Sequence, residues 1–413
     1  MTSNTDKSNI LSETTKDYYK NTSLEHRKAN GQYMTPYDII NSSLKLVDIK
    51  NFKKILEPSC GTGQFIEKII ETNKKAKITG IELDKKIYDI IKNKFSKKVI
   101  IKNENFMLYD FDDETFDLII GNPPYFEIDK KCKLYDEHID TYSECLSGRI
   151  NIYTLFLRKC IDLLQVNGIL LFVIPTSLLS SKYFEGIRKY IQANSNIQNI
   201  QILNSDDFED ALQQTMIFVI KKINKDKEKN NSNFIIKLGD TIIFNENAEK
   251  YNQELKDKKF IKDFNCTVKT GSVVWNQHKE SLTNDEKNLR KKNIVLVYPR
   301  NLNSEKNKLD LTSHDKKKQY MDSEKYTKHH ITGPIIAINR IIGVKDITLN
   351  PVLLEDGEYY FENHINTITG DLKNLKIIYE SLKKTETVNF IKNIIGNTQL
   401  SKTELETMVP IYN

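Results

Sequence analysis

The sequence has few of the features that mark zinc proteins, disulfide-stapled domains or membrane proteins. Its five cysteines are scattered without a CxxC pair, so we expect neither a metal site nor a disulfide framework. No apolar run reaches the about 18 residues of a membrane-spanning helix, and the polar N-terminus lacks the apolar core of a signal peptide. These absences predict an intracellular protein with reduced thiols, long enough at 413 residues for two or three domains.

Neither sign of charge dominates the chain, which carries 62 basic and 56 acidic residues. The basic excess is concentrated, however, because residues 287–340 hold 13 Lys and Arg against 5 Asp and Glu. A run of charge is usually a solvated face. A concentrated basic excess also suits a polyanionic partner, and charge alone leaves both interpretations open.

Strand-like apolar runs alternate with helical patterns from about residue 52 to residue 222. Strands separated by helices of this length indicate a doubly wound α/β sheet. The segment 223–234 is charged and Asn-rich, which predicts a linker, and the alternation is lost after it. We therefore predict a mobile N-terminal arm over 1–29, an α/β domain over 30–222, and a second, irregular α+β domain over 235–413.

A glycine turn joins the first predicted strand to a helix in "LEPSCGTGQF". Its spacing is not GxGxxG, which argues against a dinucleotide pyrophosphate site. Glu82 ends the next strand, where an acid typically binds ribose hydroxyls, and a surface carboxylate is the alternative. Asn105 and Phe106 end the third strand and could bind and cover a purine, although Phe106 is as well explained as a core residue. The combination favours a nucleoside site.

The fourth predicted strand stops abruptly at "GNPPY", residues 121–125. Proline cannot continue a central strand, and the residue before a proline is held extended. A rigid turn is the simplest interpretation. The turn follows the carboxyl end of its strand, as the glycine turn does, so both lie on the same sheet edge. Ligands of such sheets bind at this edge. Its acceptors are the Asn122 side-chain oxygen and the Pro123 carbonyl, which would stabilise a planar amine as it becomes nucleophilic, while Tyr125 could stack on the base.

These segments together resemble the S-adenosylmethionine-dependent DNA adenine-N6 methyltransferases of the gamma class. The resemblance covers residues 30–222 and rests on "NGQYMTPYDII", "LEPSCGTGQF", "IELD", "NF" and "NPPY", in that order and followed by a large second domain. It implies a Rossmann-like methyltransferase sheet, S-adenosyl-L-methionine as cofactor and a flipped adenine in double-stranded DNA as substrate. "NF" departs from the family's usual Asp-Phe, so Asn105 would accept a hydrogen bond without a charge.

The resemblance also implies a set of site residues. Four would act on the target base, namely Asn122, Pro123, Tyr125 and Phe208, the last in "DDFEDALQQTMIFVI". Twelve would bind the cofactor: Tyr33, Thr35, Glu57, Pro58, Ser59, Gly61, Gly63, Glu82, Leu83, Asn105, Phe106 and Pro124. Five basic residues of the second domain are candidates for DNA binding: Arg290, Lys291, Lys292, Arg300 and Arg340.

Two other functions use the same features differently. The NPPY chemistry also serves methyltransferases that modify ribosomal RNA guanine or a release-factor glutamine, and the fold could be a non-catalytic DNA-binding scaffold. The basic second domain favours DNA, and the intact glycine turn, Glu82 and NPPY argue against a scaffold. We therefore expect a monomeric restriction-modification methyltransferase without membrane association. We place it in the cytoplasm, at the nucleoid or in the host cell of a virus. A separately encoded restriction endonuclease is left open as a partner.

Overall fold

Two compact units make up the protein, residues 1–236 with 242–249 and residues 237–241 with 250–413. No helix in the described part of the chain is long and apolar enough to cross a membrane. A computed structural model describes residues 11–29 (side chains of 11–27), 31–129, 141–146, 150–203, 214–284, 293–311, 317–326, 329–343, 347–395 and 399–412.

A seven-stranded sheet forms the centre of the first unit, in the order β3-β2-β1-β4-β5-β7-β6. The first five strands run parallel, and β7 runs antiparallel to both neighbours. This arrangement confirms the predicted doubly wound sheet. The chain order reverses between β1 and β4, the switch point at which such sheets bind ligands. The strands are β1 Lys54–Glu57, β2 Lys77–Ile81, β3 Val99–Lys102, β4 Phe116–Gly121, β5 Leu164–Pro175, β6 Ser195–Ile202 and β7 Thr215–Lys222.

Helices cover both faces of this sheet. Ile55 of β1 and Leu118 of β4 point into one core, whereas their neighbours Leu56 and Ile119 point into the other. Adjacent strand residues face opposite ways, so near-continuous apolar strands can bury both faces. The helices are α1 Glu13–Lys20, α2 Leu24–Ala29, α3 Tyr37–Leu44, α4 Gln64–Thr72, α5 Lys85–Ile91, α6 Ile152–Leu163 and α7 Glu185–Asn194.

The N-terminal arm and the end of α6 differ from the sequence expectation. Residues 13–20 of the expected mobile arm form α1, which Ser12 caps by accepting a hydrogen bond from the Thr15 amide. The Asn-Gly pair at 167–168 predicts a helix end there, and this prediction is wrong, since α6 ends at Leu163 and Leu164 already pairs with Phe116 of β4. Strand pairing overrides the Asn-Gly stop signal there.

The segment predicted as a linker, 223–234, is bonded to the first unit. The Asn230 amide donates to the carbonyls of Gln192 and Ser195, at 2.9 and 2.5 Å. Strands β8 Ile235–Leu238 and β9 Thr241–Phe244 follow and pair with each other. Along the chain, the division into compact units falls within residues 237–249.

The second unit has two main sheets, as expected for an irregular α+β domain. One has the order β11-β21-β18-β19 and the other β12-β16-β13-β20-β17. Its helices are α8 Ala248–Leu255, which begins at the unit boundary, α9 Leu372–Leu382, α10 Thr385–Phe390 and α11 Lys402–Thr407. Its strands are β10 Lys259–Phe260, β11 Thr267–Thr270, β12 Leu282–Thr283, β13 Asn293–Val297, β14 Leu302–Asn303, β15 Lys308–Leu309, β16 Tyr320–Asp322, β17 Ile331–Thr332, β18 Ile335–Asn339, β19 Val352–Leu354, β20 Glu358–Phe361, β21 Ile365–Thr369 and β22 Pro410–Ile411.

Four cysteines lie in the described residues, and all are free and buried. Cys145 and Cys160 belong to one core of the first unit and Cys60 to the other, while Cys266 belongs to a core of the second unit. Burial raises the pKa of each thiol above its ordinary value. They are therefore inert structural residues.

Candidate active site

The glycine turn after β1 depends on two glycines in left-handed backbone conformation. Gly61 has φ of 50° and Gly63 has φ of 82°. A Cβ on Gly63 would lie 2.6 Å from the Phe95 ring, and one on Gly61 would lie 2.9 Å from Met34 Sδ. Backbone conformation and close packing therefore both require glycine. The turn places the N-terminus of α4 at the carboxyl edge of the sheet.

Glu82 lies at the tip of β2, where its carboxylate is fixed by backbone amides. One oxygen accepts from the Gly61 amide and the other from the Asp84 amide, each at 2.8 Å. The side chain is buried, and this burial raises the pKa of Glu82 to about 7, against the opposing effect of those hydrogen bonds. The position predicted for a ribose-binding acid thus holds an immobilised carboxylate with spare lone pairs.

A cavity of about 300 Å³ opens at this edge, within the size range of small-molecule sites. Its wall combines polar groups from strand ends with apolar and aromatic side chains. Ten of the predicted site residues line it, namely the catalytic residue Asn122 and nine residues predicted to bind the cofactor: Tyr33, Pro58, Ser59, Gly61, Glu82, Leu83, Asn105, Phe106 and Pro124.

The three residues expected around a purine occupy different environments in that cavity. Leu83 is 66% exposed and offers an apolar surface, whereas Phe106 is buried and packs on Phe156 with ring centroids 4.7 Å apart. The Asn105 side-chain oxygen accepts from the Met107 amide at 3.0 Å. Asn105 therefore stabilises its own turn, a use the sequence pattern did not indicate.

Thr35 and Glu57 line a smaller recess that also includes Ser59, Gly61 and Asn122. Glu57 is 2% exposed, and its Oε2 has no hydrogen-bond partner among the residues that the structure describes. Burial, followed by the charge of Glu82, raises the pKa of Glu57 well above its ordinary value. A buried carboxyl with an unused acceptor is suited to receive a cationic donor.

Asn122 is held at the end of β4 by a contact from the N-terminal segment. Its Nδ2 donates to the Tyr33 carbonyl at 2.9 Å, which fixes the orientation of the amide. The Tyr125 hydroxyl contacts the Asn122 Oδ1 and lies 2.6 Å from the Val173 carbonyl. Ser59 Oγ donates to the Asn122 carbonyl at 3.2 Å, linking the two turns.

Tyr125 stands in a row of aromatic rings. Its ring is nearly parallel to that of Tyr33, with centroids 6.1 Å apart and planes 17° apart. Tyr153 of α6 meets it edge-on at 6.2 Å, and Phe184 meets Tyr153 at 5.5 Å. Tyr33, predicted to bind the cofactor, therefore also supports the aromatic side chain of the NPPY turn.

The sequence interpretation missed the part that residues 11–32 play in this site. Thr15 Oγ1 contacts Thr62 at 2.6 Å and Gln64 at 2.5 Å, so α1 is bonded to the glycine turn. Gln32 Nε2 donates to Asp84 at 2.9 Å, directly beside Glu82. The capping pattern of Ser12 before "ETTK" was the available signal for α1.

The remaining predicted residues are distributed unevenly. Phe208, Arg290, Lys291 and Lys292 lie outside the described residues. Arg340 donates from Nη1 to the Asn363 carbonyl at 3.1 Å, and its Nε is buried, so it serves the fold of the second unit. Arg300 is exposed on the turn Pro299–Asn301.

Restriction-modification methyltransferases are among the known proteins to which this chain is similar in sequence. Residues 37–208 match the model of the Eco57I restriction-modification methylase family. The chain is 28% identical over 96% of its length to the Type II methyltransferase M.CvrRI of Paramecium bursaria Chlorella virus XZ-6E, of which it covers 97%. It is 30% identical over 68% of its length to the Type II methyltransferase M.AccI of Acinetobacter calcoaceticus, but spans only 52% of that protein. A type I restriction-modification methyltransferase subunit from Streptococcus thermophilus has a TM-score of 0.39 and 16% identity, over 55% of this chain and 54% of that one.

Residues 37–208 of the first unit, which include the glycine turn, are similar to a restriction-modification methylase family, and S-adenosylmethionine is the cofactor that this similarity supports. The relatives support a DNA methyltransferase of the restriction-modification type.

Proposed function

We propose that the protein methylates the exocyclic N6 amine of adenine at a specific sequence in duplex DNA. The observation that carries this proposal is the Asn122 amide, fixed by the Tyr33 carbonyl beside the cofactor cavity. An acceptor that is oriented in advance stabilises charge as it develops, without a proton-abstracting base.

The residues present fit S-adenosylmethionine. Glu82 would accept hydrogen bonds from the ribose, and Leu83 and Phe106 would enclose the adenine of the cofactor. Glu57 has an unused buried oxygen, which would receive the ammonium of the methionine part. That pairing would also compensate the burial that now disfavours the charged form of Glu57.

The cofactor supplies an electrophilic methyl group on a sulfonium. The N6 amine of adenine is a poor nucleophile, since its lone pair is delocalised into the ring. Asn122 Oδ1 and the Pro123 carbonyl would accept its two N–H groups and stabilise the pyramidal form that attacks. The adenine nitrogen would gain the methyl group that the cofactor supplies as the C–S bond is lost, and the proton that the nitrogen releases would pass to solvent.

Tyr125 would change partners when the base enters. Its hydroxyl now contacts the Asn122 Oδ1, the acceptor that the amine needs. The incoming amine would take this place, and the hydroxyl would keep the Val173 carbonyl, 2.6 Å away. The ring would then stack on the base, which must leave the duplex at a cost of a few kcal/mol.

The test is to incubate the protein with unmethylated duplex DNA and methyl-labelled cofactor, and then to identify the labelled nucleoside. We expect label in N6-methyl-2′-deoxyadenosine, confined to one sequence when the sites are mapped. Label in cytosine would contradict the assigned chemistry. Label only in ribosomal RNA or in a release factor would replace DNA as the substrate.

A further inference from the structure

We propose that a cluster of two cations on two aromatic rings in the second unit binds the phosphate backbone of duplex DNA. This cation–aromatic cluster consists of Trp275, Tyr298, Arg300 and Lys317. The inference rests on the proposed function and adds the surface through which the second unit holds its substrate.

The aromatic rings position both cations. Lys317 Nζ lies 5.1 Å from the Trp275 ring centroid and 5.3 Å from that of Tyr298. The Arg300 guanidinium carbon lies 5.1 Å from the same Tyr298 ring. Each distance is within the about 6 Å over which a ring attracts a cation. The Tyr298 ring therefore holds the two positive charges close together.

Main-chain acceptors lock the two segments that carry the cluster. Arg300 Nη2 donates to the Lys317 carbonyl at 3.1 Å, and the Tyr298 hydroxyl donates to the Lys318 carbonyl at 2.9 Å. Lys318 Nζ in turn donates to the Leu282 carbonyl at 3.1 Å. The turn at 298–301 and the strand entry at 317–319 therefore form one surface.

A buried pair of side-chain amides lies beneath this surface. Asn301 and Gln319 are 0% and 1% exposed and bond to each other at 3.1 Å in both directions. Asn301 Oδ1 also accepts from the Tyr298 amide at 2.8 Å, and Gln319 Nε2 donates to the Leu296 carbonyl at 2.7 Å. Interior amides satisfied this fully make the overlying surface rigid.

The charges of the cluster are available to a partner. Among the described residues, no carboxylate pairs with Arg300 or with Lys317. Lys308 and Lys376 of the same unit behave differently, since Asp310 and Glu355 neutralise them at 3.2 and 3.0 Å. Unpaired cations on a rigid base suit a polyanion with regularly spaced charges, and the proposed substrate is one.

The experiment measures binding of the full-length protein to a duplex that contains its methylation site, at several salt concentrations. Each lost phosphate contact lowers the slope of log affinity against log salt by about 0.9. Arg300→Ala with Lys317→Ala should lower that slope by about 2 and weaken binding at least about tenfold at physiological salt. Trp275→Ala should weaken binding by roughly two- to fivefold with little change of slope, because it removes only the ring beneath Lys317.

The matched control is Lys308→Ala with Lys376→Ala, which removes two equal charges that carboxylates already neutralise. Its slope and affinity should equal those of the wild type. Cofactor affinity and the thermal unfolding midpoint of each variant establish that it is folded. An unchanged slope in the Arg300/Lys317 variant would overturn the proposal, as would an equal loss in the control.

The wild-type methylation assay separates this proposal from the proposed function. If the wild type methylates duplex DNA and the Arg300/Lys317 variant binds with an unchanged slope, only the cluster assignment fails. If the wild type neither binds nor methylates DNA, both fail.

Discussion

In the first unit the candidate functional side chains follow strand ends, whereas in the second unit they sit on turns that buried side-chain amides connect. Glu82 and Asn122 face one cavity because parallel strands end at one edge. Arg300 and Lys317 are brought together instead by Asn301 and Gln319 below them. A substitution in the first unit should therefore affect mainly the side chain that it replaces. A substitution in the buried amide pair of the second unit should affect Arg300 and Lys317 together.

The largest effect expected is that of Asn122→Ala on the chemical step. Loss of one preorganised acceptor should lower kcat by about 10²- to 10³-fold, while DNA affinity stays close to that of the wild type. Single-turnover methyl transfer and DNA binding measure the two quantities. Asn105→Ala, in the turn after β3, is the control, and it should raise the KM for cofactor more than it lowers kcat. Equal loss of DNA binding and activity in Asn122→Ala would contradict the role assigned to Asn122.

Glu82→Gln should change both cofactor affinity and pH dependence. A charge-assisted hydrogen bond to ribose is weakened, so the cofactor Kd should rise by about 10- to 100-fold in calorimetry.

In the wild type the pKa of Glu82 is about 7, above its ordinary value of 4.5, so the folded state keeps a proton that the unfolded chain loses. The free energy of unfolding should therefore fall by up to about 3 kcal/mol as pH rises from 4.5 to 7.

Glu82→Gln should reduce that dependence in urea titrations followed by circular dichroism and leave the part set by Glu57, whose pKa is also raised. The exposed Glu114→Gln is the control and should keep the wild-type slope. An unchanged slope in Glu82→Gln would show that another group sets the pH dependence.

Gln319→Ala tests whether the second unit depends on its buried amide pair. The change removes the buried hydrogen bonds of the Gln319 amide to Asn301 and to the Leu296 carbonyl, which should cost about 2–3 kcal/mol of unfolding free energy. Trp275 is the single tryptophan of the chain, so its fluorescence follows the second unit alone. Gln253→Ala, at an exposed helix position, should change nothing. Wild-type stability of Gln319→Ala would remove the amide pair as the basis of the cluster.

Tyr33→Ala should have the smallest effect. A ring pair contributes about 1 kcal/mol, so loss of the contact with Tyr125 should lower kcat by roughly fivefold, and Tyr33→Phe should restore the rate. If Tyr33→Ala instead raises the cofactor Kd and leaves kcat unchanged, Tyr33 serves only the cofactor, as the sequence first suggested.

The sequence was informative where backbone topology alone determines position. Gly61, Glu82 and Asn122 could be placed on one edge because each follows an apolar strand of a parallel sheet. The amide partner of Asn122 could not, since the Tyr33 carbonyl lies 89 residues earlier and a carbonyl carries no sequence signal. The docking of Thr15 on Gln64 has the same character, with 49 residues between them.

In the second unit, the residues that support the cation–aromatic cluster are of types common in any loop. Asn301 and Gln319 resemble any loop amides in sequence, and only their burial shows what they do. Basic composition pointed to Arg300 and Arg340 equally. Both arginines donate to a main-chain carbonyl at 3.1 Å, but the Nε of Arg340 is buried whereas Arg300 is exposed.

The buried thiols give this protein internal probes of local opening. Cys60, Cys145 and Cys160 belong to the two cores of the first unit and Cys266 to the second, and burial raises the pKa of all four thiols. A thiol reagent can reach each one only when its surroundings unfold. The rate of thiol modification, measured separately at each cysteine, would therefore report how often each core opens. If bound cofactor slows labelling of Cys60 but not of Cys266, the two units open independently.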